Sequence, residues 1–518
     1  MNRLGWCETC NVPILDGLNC GICYKQSIPM RFTKTELKPV FEEESNYYRN
    51  ILLQNKITKS ILPDELFFYN VMGEIVIDGQ KVFRLSFNRD RNEFVPFFFK
   101  KFIDAVPLFH GSNLDLTIAA NEKILINKEN EAVNFLKSEI QKFDKLPVAV
   151  SFSGGKDSAV AMALTKIATS NFDAIFLNTT VEFEETIDYV HQISNIFNVN
   201  LIETNPPHEF FQLCEEFGPP STKMKWCCKT QKFSPQNLLI NDRYSEGVLV
   251  INGIRKNESN IRSKFSRIQR NKMIPKQVLA FPLLDWTSLD VWLYLMWKKI
   301  PHNKMYDYGF SRIGCWACPE KSLRDFKLLE TFHANLFSKL GEMLKKYAVR
   351  TEINSPDTWF RSGNWRSRKT KWIKTMACTS SIPCSPPGEL VYTFERGLIQ
   401  NNIIEFMKVF GKSFSKGPMT KIENPNIEIS IIGNKLRVKF KNPAFLVVFE
   451  KQLTRALNCV GCGACVGACA RNALSIEFGK ITVSEECNSC LKCITSNGIR
   501  MSCVSVNYKT QVLTVVNS

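Results

Sequence analysis

The chain has 518 residues, of which 44% are hydrophobic and 23% charged, as is typical of a soluble globular protein, and its length predicts three or four domains. No stretch approaches ~18 uninterrupted apolar residues, and the N-terminus lacks an apolar signal core. We therefore expect neither a membrane span nor export, but a cytoplasmic protein. The formal net charge of +17 points to an anionic partner, either a nucleotide or a nucleic acid.

The first cysteines of the chain have the spacing of a metal site. Cys7, Cys10, Cys20 and Cys23 read C-x2-C-x9-C-x2-C, and 19 cysteines in a cytosolic protein favour metal ligation over disulfides. Two such knuckles suit a tetrahedral thiolate cage, and so short a segment cannot bury a core without one. We predict a zinc ribbon over residues 1–30, with a mononuclear iron site as the alternative.

Residues 50–145 are expected to form a small α+β module of unknown role, for which packing is favoured over RNA binding. The segment EIVIDGQKVFRLSF alternates in polarity around Asp78-Gly79, which predicts a β-hairpin. The amphipathic segment ENEAVNFLKSEI then leads as a helix into the next domain.

The octapeptide SFSGGKDS, residues 151–158, lies between the apolar run LPVAV and the helical pattern AVAMALTKIA. A strand, a glycine turn and a helix form a layout that binds phosphate, because backbone N–H groups and the helix N-terminus favour an anion. The spacing differs from G-x4-G-K-[ST], which argues against a kinase or GTPase of that type. The predicted phosphate-binding residues are Ser151, Ser153, Gly154, Gly155, Lys156, Asp157 and Ser158.

Strands and helices alternate after this turn, which predicts an α/β domain with a parallel sheet covered by helices on both faces. FDAIFLNTT, VNLIETN, EGVLVINGIR and VLAFPLLDW read as strands, and EETIDYVHQISNIFN reads as an amphipathic helix. Ligands bind at the carboxyl ends of such strands. Four residues that follow two of the strands are therefore predicted to bind a nucleotide: Asn178, Thr179, Gly253 and Arg255.

Two dispersed cysteine pairs occur in the same region. KWCCKT contains Cys227 and Cys228, and GCWACP contains Cys315 and Cys318. Adjacent cysteines point in different directions, so joint binding of one metal centre requires a bent backbone. Considered alone, the adjacent pair is better explained as two small buried hydrophobic residues.

Later segments carry weaker signals. WTSLDVWLYLMW opens with a capping box of Thr287 and Asp290, and its aromatic face is expected in the core. Residues 355–375 interleave tryptophan with arginine and lysine, which fits either nucleic-acid binding or closure over nucleotide phosphates. PCSPPGE at 383–389 is interpreted as a linker, and residues 389–450 as a β-rich connecting module that contains the hairpin NIEISIIGNKLRVKFK.

Residues 451–518 have the cysteine spacing of an iron–sulfur domain. CVGCGACVGACA follows C-x2-C-x2-C-x3-C, CNSCLKC comes after it, and ALSIEFGKITVS between them predicts a hairpin at Gly479-Lys480. The segment resembles bacterial-type two-cluster ferredoxins, although Ala470 replaces the usual proline and Asn497 the eighth cysteine. The predicted ligands are Cys459, Cys462, Cys465 and Cys503 for one [4Fe–4S] cluster, and Cys469, Cys487, Cys490 and Cys493 for the other.

The motifs SGGKDS, GIRKNESNIR, PLLDWTSLDVW and GCWACP together resemble the phosphoadenosine phosphosulfate reductase family, within the adenine-nucleotide alpha-hydrolase superfamily. The resemblance covers roughly residues 146–325 and implies a nucleotide-binding domain over 146–380. It implies that Arg255, Glu258 and Arg262 hold the sulfo-phosphate end of the substrate, which guanidinium groups suit. It further implies a [4Fe–4S] cluster, as in adenylyl-sulfate reductases, on Cys227, Cys228, Cys315 and Cys318.

Two features depart from the family pattern. The mobile Glu-Cys-Gly-Leu-His segment, whose thiolate attacks sulfur, is missing. Cys378 is the candidate substitute, because the preceding cations would lower the pKa of its thiol, whereas Cys384 is interpreted as incidental. The intact Lys156 is typical of superfamily members that split ATP.

The leading hypothesis is an iron–sulfur enzyme that reduces adenylyl sulfate or its 3′-phosphorylated form. Its predicted catalytic residues are Lys156, Arg255, Arg262 and Cys378, and electrons would pass from an external donor through the fused ferredoxin domain. The alternative is an ATP-dependent sulfurtransferase that adenylates and thiolates transfer RNA, which Lys156 and the positive charge favour. A third hypothesis is a non-catalytic iron–sulfur and zinc scaffold that binds adenine nucleotides.

Overall fold

The structure is a computed structural model. It describes residues 4–30, 37–57, 61–70, 73–88, 93–99, 109–271, 274, 276–367, 378–384, 389–394, 402–433, 435–459, 461–467, 469–477 and 480–494. Within these ranges, no helix combines the length and the apolar character that crossing a membrane requires.

The N-terminal residues form a small three-stranded antiparallel sheet in the order β2-β1-β3. Its strands are β1 Gly5–Cys7, β2 Val12–Ile14 and β3 Ile28–Pro29. The four cysteines lie at the end of β1 and on the turns that follow, so the sheet holds the two knuckles together.

Residues 37–99 contain a five-stranded antiparallel sheet in the order β4-β5-β6-β7-β8, and helix α1 shares its apolar core. The elements are β4 Leu37–Pro39, α1 Glu42–Gln54, β5 Phe68–Asn70, β6 Glu74–Ile77, β7 Gln80–Asn88 and β8 Glu93–Phe98. The hairpin predicted at Asp78-Gly79 is confirmed, since both residues have positive φ and Ile77 pairs with Gln80. The sheet begins before residue 50, because β4 pairs with β5.

Helix α2, Leu114–Lys142, connects this sheet to the central domain. Its residue Asn121 fixes the N-terminal ribbon to the helix. The Asn121 side chain accepts a hydrogen bond from the Leu15 N–H and donates one to the Pro13 carbonyl, both at 2.8 Å.

The central sheet has six strands in the order β11-β10-β9-β12-β14-β13, and only its edge strand β13 runs antiparallel to its neighbour. The strands are β9 Val148–Ser151, β10 Asp173–Leu177, β11 Asn200–Thr204, β12 Val248–Ile251, β13 Ile268–Arg270 and β14 Gln277–Ala280. The predicted strands are confirmed. Each was predictable because it is a short apolar run between turn residues.

Helices cover both faces of this sheet, as predicted. They are α3 Lys156–Ala168, α4 Glu184–Phe197, α7 Ser234–Arg243 and α8 Ser288–Trp297. Between β11 and α7 lie α5 Phe210–Phe217, α6 Trp226–Cys228 and a π-helix at Lys229–Phe233, and α5 and Trp226 belong to a separate core. Val148 and Val150 share a core with α3, α4 and α8, whereas Ala149 packs on the opposite face with Ile240 of α7. This alternation confirms an α/β domain with a buried, mainly parallel sheet.

The capping box predicted at the start of α8 is confirmed. The Thr287 N–H donates to Asp290 Oδ2 at 2.6 Å, and the Asp290 N–H donates to Thr287 Oγ1 at 3.2 Å. Trp292 and Tyr294 on this helix are buried, so its aromatic residues belong to the core.

Three helices follow the central sheet: α9 Leu323–Phe332, α10 Ala334–Arg350 and α11 Pro356–Arg361. Beyond them lies a second six-stranded sheet, antiparallel throughout, in the order β15-β16-β20-β19-β18-β17. Its elements are β15 Cys378–Cys384, β16 Glu389–Phe394, α12 Asn402–Met407, β17 Lys412–Lys416, β18 Met419–Asn424, β19 Ile427–Ile432 and β20 Lys435–Phe440.

The linker expected at 383–389 is wrong, because Cys384 pairs with Glu389 across β15 and β16. Pro383 is tolerated since β15 is an edge strand. The last elements are α13 Phe445–Asn458, α14 Ala464–Gly467, β21 Leu474–Glu477 and β22 Lys480–Val483. The antiparallel pairing of β21 with β22 confirms the hairpin predicted in ALSIEFGKITVS. Their apolar residues share one core with β18 to β20.

Candidate functional site

The glycine turn joins β9 to α3 at the carboxyl edge of the central sheet. Gly154 has a φ of +71°, and a Cβ there would lie 2.8 Å from Thr186, so the turn needs glycine. Ser158 Oγ donates to the Gly155 carbonyl at 2.9 Å, which closes the turn on itself. The Lys156 N–H at the start of α3 donates to the Tyr306 hydroxyl at 3.0 Å.

A buried ionic group connects this turn to the end of β12. Lys156 Nζ and Arg255 Nε each lie 2.6 Å from one oxygen of the Asp157 carboxylate. Burial alone would raise the pKa of Asp157, but Arg255 and Lys156 lower it to about 2. Gly253 permits this approach, since a Cβ would lie 2.5 Å from the Asp157 carbonyl.

These residues line a cavity of about 490 Å³. Among its lining residues are Ser151, Ser153, Gly155, Lys156, Asp157, Ser158, Gly253, Arg255, Glu258 and Arg262, all predicted from the sequence. Five of the lining residues are basic and two are acidic, so the cavity favours an anion. Arg262 is paired with Glu258, whose carboxylate also accepts from the Arg255 N–H at 3.1 Å.

Three predicted nucleotide-binding residues, Gly154, Asn178 and Thr179, are not among the described residues that line this cavity. The Asn178 amide donates to Glu203 at 2.8 Å and so connects β10 to β11. The Thr179 hydroxyl lies 3.2 Å from the Cys315 sulfur instead. Thr179 therefore belongs to the surroundings of the central cysteines.

The two central cysteine pairs come together although they are distant in sequence. The pKa of Cys227 is raised first by its hydrogen bond to Cys228 and by burial, and further by the charges of Cys228, Cys315 and Cys318. Cys227 and Cys315 also pack against the same apolar core, so the two pairs lie close together. Cys227 and Cys228 end α6, directly before the π-helix.

The central thiols differ in how they hold a proton. The pKa of Cys228 is lowered to about 6, first because the Cys227 thiol donates a hydrogen bond to it and then because Lys232 and Lys225 lie nearby. Burial raises the pKa of Cys315 to about 12. The four thiols are not among the described residues that line the cavity, but residues 311–313, just before Cys315, are.

Lys232 was not predicted from the sequence as a site residue. It lies one helical turn after Cys228, and its pKa is raised, first by Cys315 and further by Glu182, Cys228 and Cys318. An ammonium near three of these thiols favours their thiolate forms, which are the forms that bind iron or zinc. The spacing of four residues from Cys228 was a signal that could have identified it.

The N-terminal cysteines have their sulfur atoms close enough together to bind one metal ion. The sulfur atoms of Cys7, Cys10, Cys20 and Cys23 all lie within 4.8 Å of one another. The backbone N–H of Lys25 is the main cause that lowers the pKa of Cys23 to about 7. Four thiols that close together suit a single tetrahedral ion such as zinc.

The C-terminal cysteines lie around the small hairpin β21–β22. Cys459, Cys465, Cys469, Cys487 and Cys493 contribute to one core. Burial is the main influence on Cys493 and raises the pKa of its thiol to about 11, while Arg455 donates to its sulfur at 3.4 Å. Cys503, the predicted eighth ligand, lies outside the described residues.

The other predicted site residue, Cys378, begins β15, an edge strand of the C-terminal sheet. In the tryptophan-rich segment, Trp365 is buried against Phe326, and Arg361 pairs with Asp357 and Glu330. These contacts explain the described part of that segment, up to residue 367, by packing, and they weaken its interpretation as a base-stacking surface.

The cavity is also lined by residues that no sequence motif predicted. Lys38 and Tyr69 reach it from the five-stranded sheet, while Trp292, Tyr306 and Arg312 come from the central domain. Lys38 is held by Glu44, which in turn accepts from Arg324. The module of unknown role therefore forms one wall of the cavity.

Comparison with known proteins places this site in a family context. Residues 147–321 match the family model described as "Phosphoadenosine phosphosulfate reductase domain". This segment of the chain is similar to that domain. It includes the glycine turn, the ionic group around Asp157 and both central cysteine pairs.

Relatives of known sequence agree with this match. An uncharacterised protein of Methanocaldococcus jannaschii is 37% identical over 253 residues, which are 49% of this chain and 52% of that protein. An adenosine 5′-phosphosulfate reductase of Oceanobacillus iheyensis is 29% identical over 174 residues, 33% of this chain and 70% of that enzyme. The chain spans about half the length of the first two curated relatives that it matches.

Among solved structures, the phosphoadenylyl-sulfate reductase of Candida auris aligns with 38% of this chain and 97% of its own. The two are 18% identical, with a TM-score of 0.30.

Proposed function

We propose that this protein reduces a sulfonucleotide, either adenylyl sulfate or its 3′-phosphorylated form. The observation that supports the proposal is the cationic cavity at the carboxyl edge of the sheet. Residues 311–313 line it, and Cys315, which follows them, packs in the same apolar core as Cys227. Phosphate and sulfate oxygens suit guanidinium groups, and both Arg255 and Arg262 line this cavity.

The proposed reaction has two steps that balance in atoms and charge. A protein thiolate attacks the sulfur of the activated sulfate, which forms an S–S bond, breaks the S–O bond and releases the nucleoside phosphate. Two electrons then cleave this thiosulfonate into sulfite and the original thiolate. Cys378 is our candidate nucleophile, because no Glu-Cys-Gly-Leu-His segment is present in the sequence.

Residues of the cavity would act on the leaving group. Lys156 and the N-terminus of α3 would neutralise charge that develops on the phosphate as the S–O bond breaks. Asp157 keeps Lys156 and Arg255 in place, because its carboxylate contacts both at 2.6 Å. A base for the attacking thiol is not needed where neighbouring cations keep it ionised.

The cysteine sets support metal cofactors for this reaction. We propose zinc on Cys7, Cys10, Cys20 and Cys23, one [4Fe–4S] cluster on Cys227, Cys228, Cys315 and Cys318, and clusters on the C-terminal cysteines. Iron–sulfur clusters in the C-terminal domain would supply electrons one at a time, drawn from an external donor. A hydrolase would have no use for such a domain.

Lys156 favours a second candidate, an ATP-dependent sulfurtransferase that acts on transfer RNA. Its side chain is almost completely buried and lines the cavity, where its ammonium would meet the phosphates of ATP. Both candidates use the same nucleotide cavity, so the products distinguish them.

The test uses the full-length protein, purified without oxygen and supplied with reduced methyl viologen. Adenylyl sulfate and its 3′-phosphorylated form are offered separately, and ATP is offered with transfer RNA. We expect sulfite release from one sulfonucleotide and no RNA-dependent pyrophosphate. Pyrophosphate without sulfite would instead establish the sulfurtransferase.

A matched pair of variants connects the activity to the cavity. Arg262→Met removes a cavity cation, and we expect the KM for the sulfonucleotide to rise about tenfold, as for loss of a charge-assisted hydrogen bond. Arg243→Met removes an arginine of α7 outside the cavity and should leave the KM unchanged.

A further inference from the structure

The first cysteine loop of the C-terminal domain packs against the segment that carries Cys227 and Cys228. We use "loop contact" for the meeting of residues 461–463 with residues 207–208 and Ser234. This contact joins two of the proposed cluster sites, although His208 and Gly461 are 253 residues apart in sequence.

Two hydrogen bonds to backbone carbonyls hold the loop contact together. The ring nitrogen Nε2 of His208 lies 3.1 Å from the Gly461 carbonyl, to which it can only donate. The buried Ser234 hydroxyl donates to the Gly463 carbonyl at 2.7 Å. Gly461 and Gly463 both have positive φ, so the loop presents its carbonyls in a conformation that glycine allows.

At the same contact, an apolar residue of each domain packs into the core of the other domain. Cys462 is 8% exposed and belongs to the core that contains Trp226, against which Cys227 and Cys315 also pack. In the opposite direction, Leu238 packs against the C-terminal core. Leu238 follows Ser234 by four residues, so both lie on one face of α7.

The loop contact continues directly to the central cysteines. The His208 carbonyl accepts a hydrogen bond from the Gln231 amide at 3.1 Å. Gln231 precedes Lys232, the ammonium that interacts with the central thiols, and both belong to the π-helix that follows Cys228. A candidate ligand of the C-terminal domain therefore packs in the same core as two candidate ligands of the central site.

We propose that the loop contact is the point at which electrons leave the C-terminal domain for the sulfonucleotide site. The proposal rests on the reductase function proposed above, and it gives the fused domain a fixed docking position instead of a tethered one. The reduced domain would lose two electrons, and the thiosulfonate would gain them and separate into sulfite and thiolate. Because electron transfer weakens steeply with distance, a cysteine ligand packed into the partner core is a favourable exit.

The test compares the full-length protein with the double variant His208→Ala/Ser234→Ala, which removes both hydrogen bonds. The control is His191→Ala/Ser338→Ala, a pair of positions on α4 and α10 that take no part in the loop contact. All three proteins are reduced with dithionite, freed of reductant without oxygen, and mixed with sulfonucleotide. The return of visible absorbance then reports how fast the clusters lose electrons.

We expect roughly tenfold slower electron loss in the double variant, in proportion to the weakened docking. Its iron content, its affinity for AMP and its extent of reduction should match the control. Sulfite release driven by dithiothreitol, which cleaves a thiosulfonate without the C-terminal domain, should also match. Equal rates of electron loss in all three proteins would overturn the proposal.

Hydrogen–deuterium exchange separates this proposal from the proposed function. If the loop contact exists, the amides of residues 229–238 exchange faster in the double variant than in the control, whether or not sulfite forms. Unchanged exchange in that segment would contradict the contact itself. Absence of sulfite from the unmodified protein, with altered exchange in the double variant, would reject the reductase function and leave the docking intact.

Discussion

The molecule contains two four-cysteine sites that are built in opposite ways. At the N-terminus, four sulfur atoms within 4.8 Å of one another come from two knuckles of a single ribbon. In the centre, Cys227, Cys228, Cys315 and Cys318 come from distant segments, and they are not part of any equally tight group found among the described residues. The compact set suits one ion, whereas the wider set leaves space for a cluster.

The surroundings of the two sites differ even more. The main influence on Cys23 is a backbone N–H, that of Lys25. The central thiols instead share their space with Lys232, Glu182 and Thr179. Under the proposed function, the first site serves stability and the second chemistry, and each prediction below tests that division.

The largest effect is expected at the N-terminal site. Cys20→Ser should remove the bound ion and with it a metal-binding free energy of about 10 kcal/mol, since structural zinc sites contribute that much to folding. Metal analysis and proteolysis of the ribbon measure this loss. Glu8→Gln, an exposed change between two of the cysteines, should keep the ion. Loss of sulfite formation in Cys20→Ser at normal nucleotide affinity would refute a purely structural role.

The converse result is expected at the central site. Cys228→Ser should lower the rate of sulfite formation by at least about 100-fold, because loss of a ligand should cost no less than loss of a residue that supports one. The thermal unfolding midpoint should change little. Cys214→Ser alters a buried cysteine outside all four sets and should retain both the iron and the activity. Full activity in Cys228→Ser would contradict our assignment.

Lys232 provides a smaller and more specific effect. Lys232→Gln should reduce activity by about 10- to 100-fold, as removal of a supporting group does, with the iron content retained. Lys232→Arg should restore most of it, since the positive charge remains near Cys315 and Cys228. The visible spectrum of the central cluster should shift in Lys232→Gln only. If Lys232→Arg is as impaired as Lys232→Gln, size rather than charge is what matters.

The two sites also show what sequence alone can predict. The ribbon spacing is local, so the convergence of Cys7 with Cys23 could be inferred directly. The glycine turn and the capping box at Thr287 were predictable for the same reason, since each is complete within a few residues. The strands of the central sheet were recognisable as short buried runs.

Features that depend on tertiary packing could not be predicted in this way. Lys38 reaches the cavity from another sheet, and no local pattern connects it to the glycine turn. The segment at 383–389 looked like a linker because of its prolines, yet Cys384 pairs with Glu389 across two strands. Trp365 looked like a nucleic-acid contact, but it is buried against Phe326. In each case the partner lies outside the local sequence pattern.

The smallest effect is expected on acidification, to which the Asp157 cavity and the N-terminal ribbon should respond at different pH. The pKa of Asp157 is about 2 in the folded protein, below the ordinary value of about 3.9, so its contribution to stability is present above about pH 4 and is lost as the pH falls through 2. We expect it to amount to roughly 2 kcal/mol. As the pH falls, the ribbon should release its ion before the pH reaches about 4, because its thiolates become protonated at a higher pH than the Asp157 carboxylate.

Asp157→Asn isolates this contribution. In urea unfolding, the variant should be less stable than the unmodified protein at about pH 5, and the difference should shrink towards pH 2, because the carboxylate then becomes protonated. Release of zinc, followed with a chromophoric chelator, should occur at the same pH in both proteins. A shift of zinc release in Asp157→Asn would mean that the ribbon and the cavity are coupled, which would break the division between a structural and a chemical site.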